Sequence, residues 1–541
     1  MKKLITLTLA LVFLLEISTG QSFDWATMAG GGGSDQAYAI ATDNEGNSYV
    51  TGWFSGSAHF GDIVLNSEGG KDVFLAKYNH AGEVIWAVKA WGIANNAAAG
   101  ITLDWDNFPI ITGWFGESIH FSSEVVLESH GSYDMFVARY NSNGDVIWAR
   151  GAGGEGDDYG NRLTTNFEHD VIVSGSFKYT AHFGEETTIT SEGNRDIFIA
   201  NYSNTGNFHW VKKAGGVGED RAYGIICNDD GATYFTGVFT GKAFFGEHHI
   251  MSNSFLSTYI AKMGAGGNFI WVRRGTGGAN DFARGFGISL DNEGYVYGNG
   301  TFSGSLTFTE ETVESTGGQY DFDTYLVRYN KEGALSWIRK AGGYGMDQGR
   351  DIFTDANGNT FVTGFFSGEA QFGDNVLESY GKSDIFIAKY NWTGEVVWAK
   401  RAGGHFLDYG YGISQGNPEH KILYICGNYQ EDAAFDDIVL SNWGGLDMYV
   451  AKLNYDNDFI SEFNNENLSI YPNPSDGNFE ITLNEQHNGI TIKIFSADGK
   501  LVVEEQLAGF SNRIEVKTGL APGVYSVQIP ELDLSSKLII K

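Results

Sequence analysis

Seven tryptophans at near-constant spacing constrain this chain more than any other feature. Trp25, Trp86, Trp148, Trp210, Trp271, Trp337 and Trp398 follow one another at 61, 62, 62, 61, 66 and 61 residues. A glycine-rich turn ending in an acid comes after most of them, as in AGGGGSD (29–35), AGGVGED (214–220) and AGGYGMD (341–347). A hairpin such as DNEGNSYVTG (43–52) follows, then a Phe-Gly pair (Phe60-Gly61, Phe372-Gly373), then DVFLAKYN (72–79) or DIFIAKYN (384–391). One unit is therefore written seven times, and self-similarity at a fixed long period is the mark of arrays and propellers.

Each unit holds four short runs rich in Val, Ile, Phe and Tyr, parted by Gly, Asn and Asp, and no stretch keeps a helical period. In the first unit the runs are Tyr38–Thr42, Ser48–Phe54, Val73–Tyr78 and Val84–Ala90. Four short strands per repeat make a propeller blade. The repeat resembles the bacterial β-propeller repeat whose hairpin reads D-x-x-G-N-x-Y-V-T-G, over residues 23 to about 460. The seventh unit supplies Tyr411–Ser414, Ile422–Tyr429 and Met448–Leu453, and its fourth run aligns with Asp458–Ser461, where Ser461 stands in place of tryptophan. A spare strand, Phe23–Met28, lies at the other end and carries Trp25. Docking it on the seventh unit would remove two open sheet edges. The expected fold is all-β: a seven-bladed propeller closed by an N-terminal strand, over 21–460, with a β-solenoid as the competitor.

The two ends read as addresses. Lys2 and Lys3 precede an apolar run, Leu4–Leu15, and Ser18-Thr19-Gly20 offers the small residues of a cleavage site. Residues 1–20 are expected to be an export signal cut before Gln21. That run is too short to span a bilayer, so no transmembrane segment is expected. After a polar linker at 461–467, LSIYPNPSDGNFEITL (468–483), ITIKIFSADGKLVVEEQL (490–507), GLAPGVYSVQI (519–529) and KLIIK (537–541) resemble the type A C-terminal sorting domain of the Bacteroidetes type IX secretion system. The resemblance implies a small Ig-like β-sandwich over 468–541, handled by the type IX machinery as an outer-membrane address. Alternating strands, an Asp498-Gly499 turn and prolines at strand ends suit such a sandwich.

Two acid positions recur. Asp35, Asn96, Asp158, Asp220, Asp281, Asp347 and Asp408 precede the first strand; Asp72, Asp134, Asp196, Asp323, Asp384 and Asp447, with Ser257 in the fourth unit, precede the third. Both rings are expected on one face. The favoured reading is that they accept hydrogen bonds from neighbouring Gly-Gly N–H groups. The alternative is a Ca²⁺-binding acidic mouth; no other cofactor is expected, and the DNEGN (43–47) and NDDG (228–231) turns lack the full calcium-loop spacing. The seven periodic tryptophans are expected to pack between blades. Trp53 and Trp114 occur in only two units; Trp91, Trp105, Trp392 and Trp443 break the pattern, are expected in loops, and are the candidate ligand-stacking residues. Cys227 and Cys426 are expected as buried free thiols.

Acids outnumber bases 67 to 35, a net charge of −32, which argues against nucleic acid or an anionic membrane as partner. No H-E-x-x-H or Walker motif occurs. The leading reading is a secreted or cell-surface, non-enzymatic propeller that binds a glycan or protein. The alternatives are an extracellular glycan-active hydrolase or lyase on the same scaffold, and a structural surface-layer component.

Overall fold

The computed structural model describes residues 21–455 and 468–540, apart from 472, 474, 476, 488–489, 497–500, 507–510, 522 and 530–533. Residues 1–20 and 456–467, with the expected export signal, the Asp458–Ser461 run and the expected linker, lie outside the described residues, as does the expected Asp498-Gly499 turn. Among the described residues the chain is all-β, with antiparallel sheets and no α-helix. The chain divides into Gln21–Tyr455 and a separate C-terminal unit.

The repeat is richer than four strands. In the sixth unit, Gln348–Thr354, Thr360–Phe366, Asp384–Tyr390 and Val396–Gly404 form the expected antiparallel ladder. Between the second and third strands sits a further hairpin, Glu369–Phe372 with Asn375–Glu378. The Phe-Gly pair lies in its turn: Gly373 takes φ +56°, a left-handed conformation that glycine adopts without strain. These hairpins do not pair within their own four-strand ladder. Gly342 and Gly343, at the end of the preceding unit's outer strand, pair with Gln371 and Ala370. Most outer strands thus continue through a Gly-Gly step into the next unit, and the same pairing recurs at Gly30-Gly31, Gly153-Gly154, Gly215-Gly216 and Gly403-Gly404, with Gly275-Thr276 in the same place.

Apolar cores lie between neighbouring sheets. Ile197 and Ile199 of the third unit pack with Phe235, Phe239 and Tyr259 of the fourth. The last unit meets the first in the same way: Val50 and Phe74 share a core with Cys426, Met448 and Val450. Ser22–Gly31 pairs antiparallel with Asp447–Asn454, from Ser22 opposite Asn454 to Ala29 opposite Met448.

The periodic tryptophans explain why the spacing is fixed. Trp25, Trp86, Trp148, Trp210, Trp271 and Trp337 each stand on an outer strand and cover the tight turn between the third and fourth strands of the following unit; the turn that would follow Trp398 lies outside the described residues. Trp25, Trp86 and Trp148 donate from Nε1 to the carbonyls of His80, Ser142 and Asn204 at 2.9–3.1 Å. In that turn Gly206 has φ +80°, and a Cβ there would come within 2.7 Å of the Trp148 ring. Trp210, Trp271 and Trp337 stand in the same way beneath Gly267, Gly333 and Gly394.

The C-terminal unit has two sheets. Leu468–Tyr471, Asn478–His487 and Ser511–Lys517 make one; Leu501–Gln506, Thr491–Ser496, Gly523–Ile529 and Leu534–Ile540 make the other. Ile481 and Ile514 of the first join Ile492, Ile494, Val527 and Leu538 of the second in one core.

Candidate functional site

The acid rings do not decorate a face. Asp35, Asp158, Asp220, Asp347 and Asp408 are buried, as are Asp72, Asp134, Asp196, Asp323, Asp384 and Asp447. The reason is the Gly-Gly junction, which lays backbone over them. Asp220 accepts from Gly216 N at 2.8 Å and Thr240 N at 3.2 Å; Asp408 accepts from Gly404 N at 2.6 Å and Gln430 N at 3.3 Å. Asp72 accepts from Gly92 N, and Asp447 from Gly31 N, each at 3.0 Å. At most junctions one member of each ring faces the other across the glycine. A Cβ on Gly215 would lie 2.9 Å from Asp196 and 3.0 Å from Asp220. Burial lifts Asp35, Asp158, Asp220, Asp347 and Asp408 to about 7, opposed by the N–H donors and reinforced by the facing carboxylate. The second unit replaces one carboxylate: Asn96 Nδ2 donates to Asp72 at 3.3 Å.

The four candidate tryptophans are not brought together. Trp91 is no loop residue: it occupies the first glycine position of a junction, exchanges both backbone hydrogen bonds with His120, and stacks on the His120 ring at 5.7 Å. Trp443, 53% exposed, lies edge-on to His59 in the connection before the third strand of the seventh unit. Trp105 (65% exposed) and Trp392 (57%) lie in turns at the opposite ends of the strands. Trp105 stacks on His169 and shares a cavity of about 260 Å³ with Phe167. Trp392 shares another, of about 420 Å³, with Tyr295 and Arg328. Trp53 is buried under Lys71, whose Nζ is 3.6 Å from the ring centre, and Trp114 stands against Tyr133 at 5.0 Å. Both cysteines are free; Cys426 is buried and Cys227 half-buried at a strand end.

A site the sequence reading did not single out lies between the first strands of the units. These strands neighbour one another in chain order, and Tyr409–Gln415 also stands against Gln36–Thr42. Every one carries a β-bulge at the same place, where two residues oppose one on the second strand. A bulge leaves its extra residue outside the ladder and re-aims its side chain. The bulged residues are Tyr38, Ala99, Asn161, Tyr223, Phe286, Arg350 and Tyr411, and all seven line one cavity of about 220 Å³. The scaffold is repeated, yet this collar changes residue in nearly every unit.

In the fifth unit the first strand is two residues longer from its acid to the bulge, so part of the 66-residue interval lies here as well as in Thr312–Asp323. Arg284, two places before the Phe286 bulge as Gln36 is before Tyr38, also lines the cavity. The Arg350 guanidinium lies 4.4 Å from the Phe286 ring centre and 5.5 Å from that of Tyr411. Arg284 lies 5.6 Å from Phe286 and 5.7 Å from Tyr223. Tyr38 meets Tyr411 edge to face at 5.4 Å and donates to Gln36 Oε1 at 2.6 Å. Burial pushes the Tyr411 phenol up to about 12. Arg162 donates to the Ala99 carbonyl and faces half-buried Asp351, whose carboxylate accepts from Ile352 N and Ile413 N. Among the described residues, Arg284 and Arg350 have neither an ion-pair partner nor a hydrogen-bond acceptor, and Nε of each is buried.

Residues 469–541 match the secretion system C-terminal sorting domain, and residues 24–56 match the beta-propeller repeat. The tail is a type IX sorting domain. Such a tail directs export to the outer cell surface or secretion, and implies handling by the type IX machinery. The chain is also similar to an uncharacterized WD repeat-containing protein, L264, of Acanthamoeba polyphaga mimivirus, at 22% identity over 70% of this chain and 33% of that protein. It thus spans about a third of that relative's length. Among solved structures, a DUF4221 family member from Bacteroides vulgatus covers 80% of this chain and 98% of its own at 10% identity, with a TM-score of 0.28. Synechocystis apocarotenoid oxygenase covers 72% and 95%, again at 10% identity and 0.28. Superposition that loose supports nothing further. Among the described residues no helix is long and apolar enough to cross a membrane.

Proposed function

We propose that Gln21–Tyr455 is a seven-bladed propeller latched by its N-terminal strand, and that it serves as a non-enzymatic binding protein at the cell surface. In this reading residues 1–20 are the export signal and the sorting tail completes delivery. The pairing of Ser22–Gly31 with Asp447–Asn454 supports the latch, as does Trp25 covering Gly82 of the first unit as its counterparts do elsewhere. The observation that carries the binding reading is the collar. Positions that join one sheet to the next keep Trp, Gly and Asp, while the bulge reads Tyr, Ala, Asn, Tyr, Phe, Arg, Tyr. Variation confined to the lining of a cavity is what recognition of a ligand demands, and guanidinium, phenol and amide groups bind and orient.

A glycan array probed with the full chain tests this reading. Capture of a defined set of glycans is expected, without release of fragments. Ala99→Tyr, which places at one bulge the residue used at three others, should narrow the cavity and abolish capture. A silent array, capture indifferent to Ala99→Tyr, or cleavage of the captured glycan would each count against it.

A further inference from the structure

The charge of the collar runs against that of the molecule. The chain carries 67 acids and 35 bases, and several cations elsewhere are matched: Arg139 meets Asp104, Arg195 meets Asp157, and Arg401 meets Asp384, at 2.6–3.1 Å. Arg284 and Arg350 are not matched. Asp351, next to Arg350 in the chain, is taken by two backbone N–H groups and Arg162. Their guanidinium groups instead lie among aromatic rings, with Phe286 near both. Rings near a guanidinium hold it by cation–π attraction but accept none of its N–H hydrogen bonds in the plane. Buried donors without acceptors are costly, and two neighbouring cations add repulsion. Both costs fall when an oxyanion enters, because a guanidinium edge matches a carboxylate, sulfate or phosphate in bidentate geometry.

We propose that the collar binds a small oxyanion, a carboxylate, sulfate or phosphate on a body no larger than one sugar ring, through Arg284 and Arg350. The size limit follows from the cavity: 220 Å³ corresponds to roughly seven waters at ~30 Å³ each. Tyr38 and Tyr411, next to Arg350, offer phenolic hydroxyls and ring faces to the body that carries the anion. This inference rests on the binding reading above and narrows it to a ligand class.

Isothermal titration of the full chain with glucuronate, sulfate, phosphate and neutral glucose tests it. At least one anion should bind with Kd below about 1 mM, with glucose at least tenfold weaker. Preference for glucuronate assigns a sugar-borne carboxylate; preference for sulfate or phosphate assigns an inorganic or esterified oxyanion. Arg350→Gln and Arg284→Gln should each weaken binding about tenfold or more, the scale of a lost charged hydrogen bond. Arg350→Lys, which keeps the charge and loses the fork, should weaken it less. Neither glutamine variant should lower Tm, since each removes a half-buried cation whose buried Nε has no acceptor. No binding of any of the three anions, equal binding of glucose, or indifference to both glutamine variants overturns the proposal. If the anions fail while the glycan array still captures ligand through the cavity, the ligand class falls and the binding reading stands.

Discussion

Replacing Asp408 by Asn isolates the electrostatics of one sheet junction. In the folded chain burial holds this carboxylate at about 7, with Asp384 facing it. An unfolded chain returns it to ~4. Between those values the native state binds more protons than the unfolded state, so stability from this group is fullest below about pH 4 and is lost as pH rises towards 7. Three pH units at about 1.4 kcal/mol each put the upper bound near 4 kcal/mol. Asparagine cannot ionise, so the variant should lack this component. The second unit already uses the arrangement, with Asn96 donating to Asp72. The variant keeps one acceptor for Gly404 N, held at 2.6 Å, and gives up the weaker contact from Gln430 N at 3.3 Å, a pH-independent loss of about 1 kcal/mol. Urea denaturation at pH 3.5 and pH 8 should therefore show the variant less stable than the parent at pH 3.5 and at least its equal at pH 8. If parent and variant lose the same stability between the two pH values, Asp408 does not titrate as argued and the carboxylate pair is not the cause.

The remaining expectations concern the latch and the tryptophan turns. Removing residues 21–31 strips the partner from Asp447–Asn454 and the buried Phe23, and should lower stability by at least about 3 kcal/mol; an unchanged Tm for the truncated chain would refute the latch. Gly206→Ala forces a side chain into φ +80° against the Trp148 ring, and should cost about 1–3 kcal/mol in a thermal or urea melt. Stability equal to the parent would mean that the turn relaxes and the tryptophan contact is loose.

The repeat was legible because its parts serve backbone geometry. Tryptophan, glycine and aspartate recur where a ring covers a turn, a strand crosses between sheets, and a carboxylate gathers N–H groups; all three leave a letter in every copy. The extra hairpin was harder to see. Its strands, such as Glu369–Phe372 and Asn375–Glu378, are four residues long and alternate exposed with covered positions, so they read as loop. The collar left a signal that was not used. In six units the bulged residue lies three places after the first-ring residue: Tyr38 after Asp35, Ala99 after Asn96, Asn161 after Asp158, Tyr223 after Asp220, Arg350 after Asp347, Tyr411 after Asp408. Simple alternation gave no reason to single it out, because a bulge shifts the phase of a strand without requiring a particular residue. The acid rings were placed on a face because strand order alone fixes which end of a sheet they occupy. Whether backbone then folds over them depends on the Gly-Gly crossing into the next unit, a long-range contact that no local pattern encodes.

The same crossing explains why the cavity, rather than the junctions, carries the chain's individuality. A junction residue touches two units at once, so a change there must satisfy both. Asp220 accepts from Gly216 of its own approach strand and from Thr240 twenty residues on, and losing it disturbs both. A bulged residue is bound by neither constraint. Its backbone lies outside the ladder and its side chain is aimed at the cavity, with few contacts beyond the collar, such as Asn161 to the Ala222 carbonyl. Seven such positions can be set almost independently on one scaffold, which lets Arg350 stand at one of them, near Arg284 of the adjoining ladder, in an acidic protein. Their burial weakens the fold slightly if the cavity has no occupant. The geometry is economical only if something anionic comes to meet them.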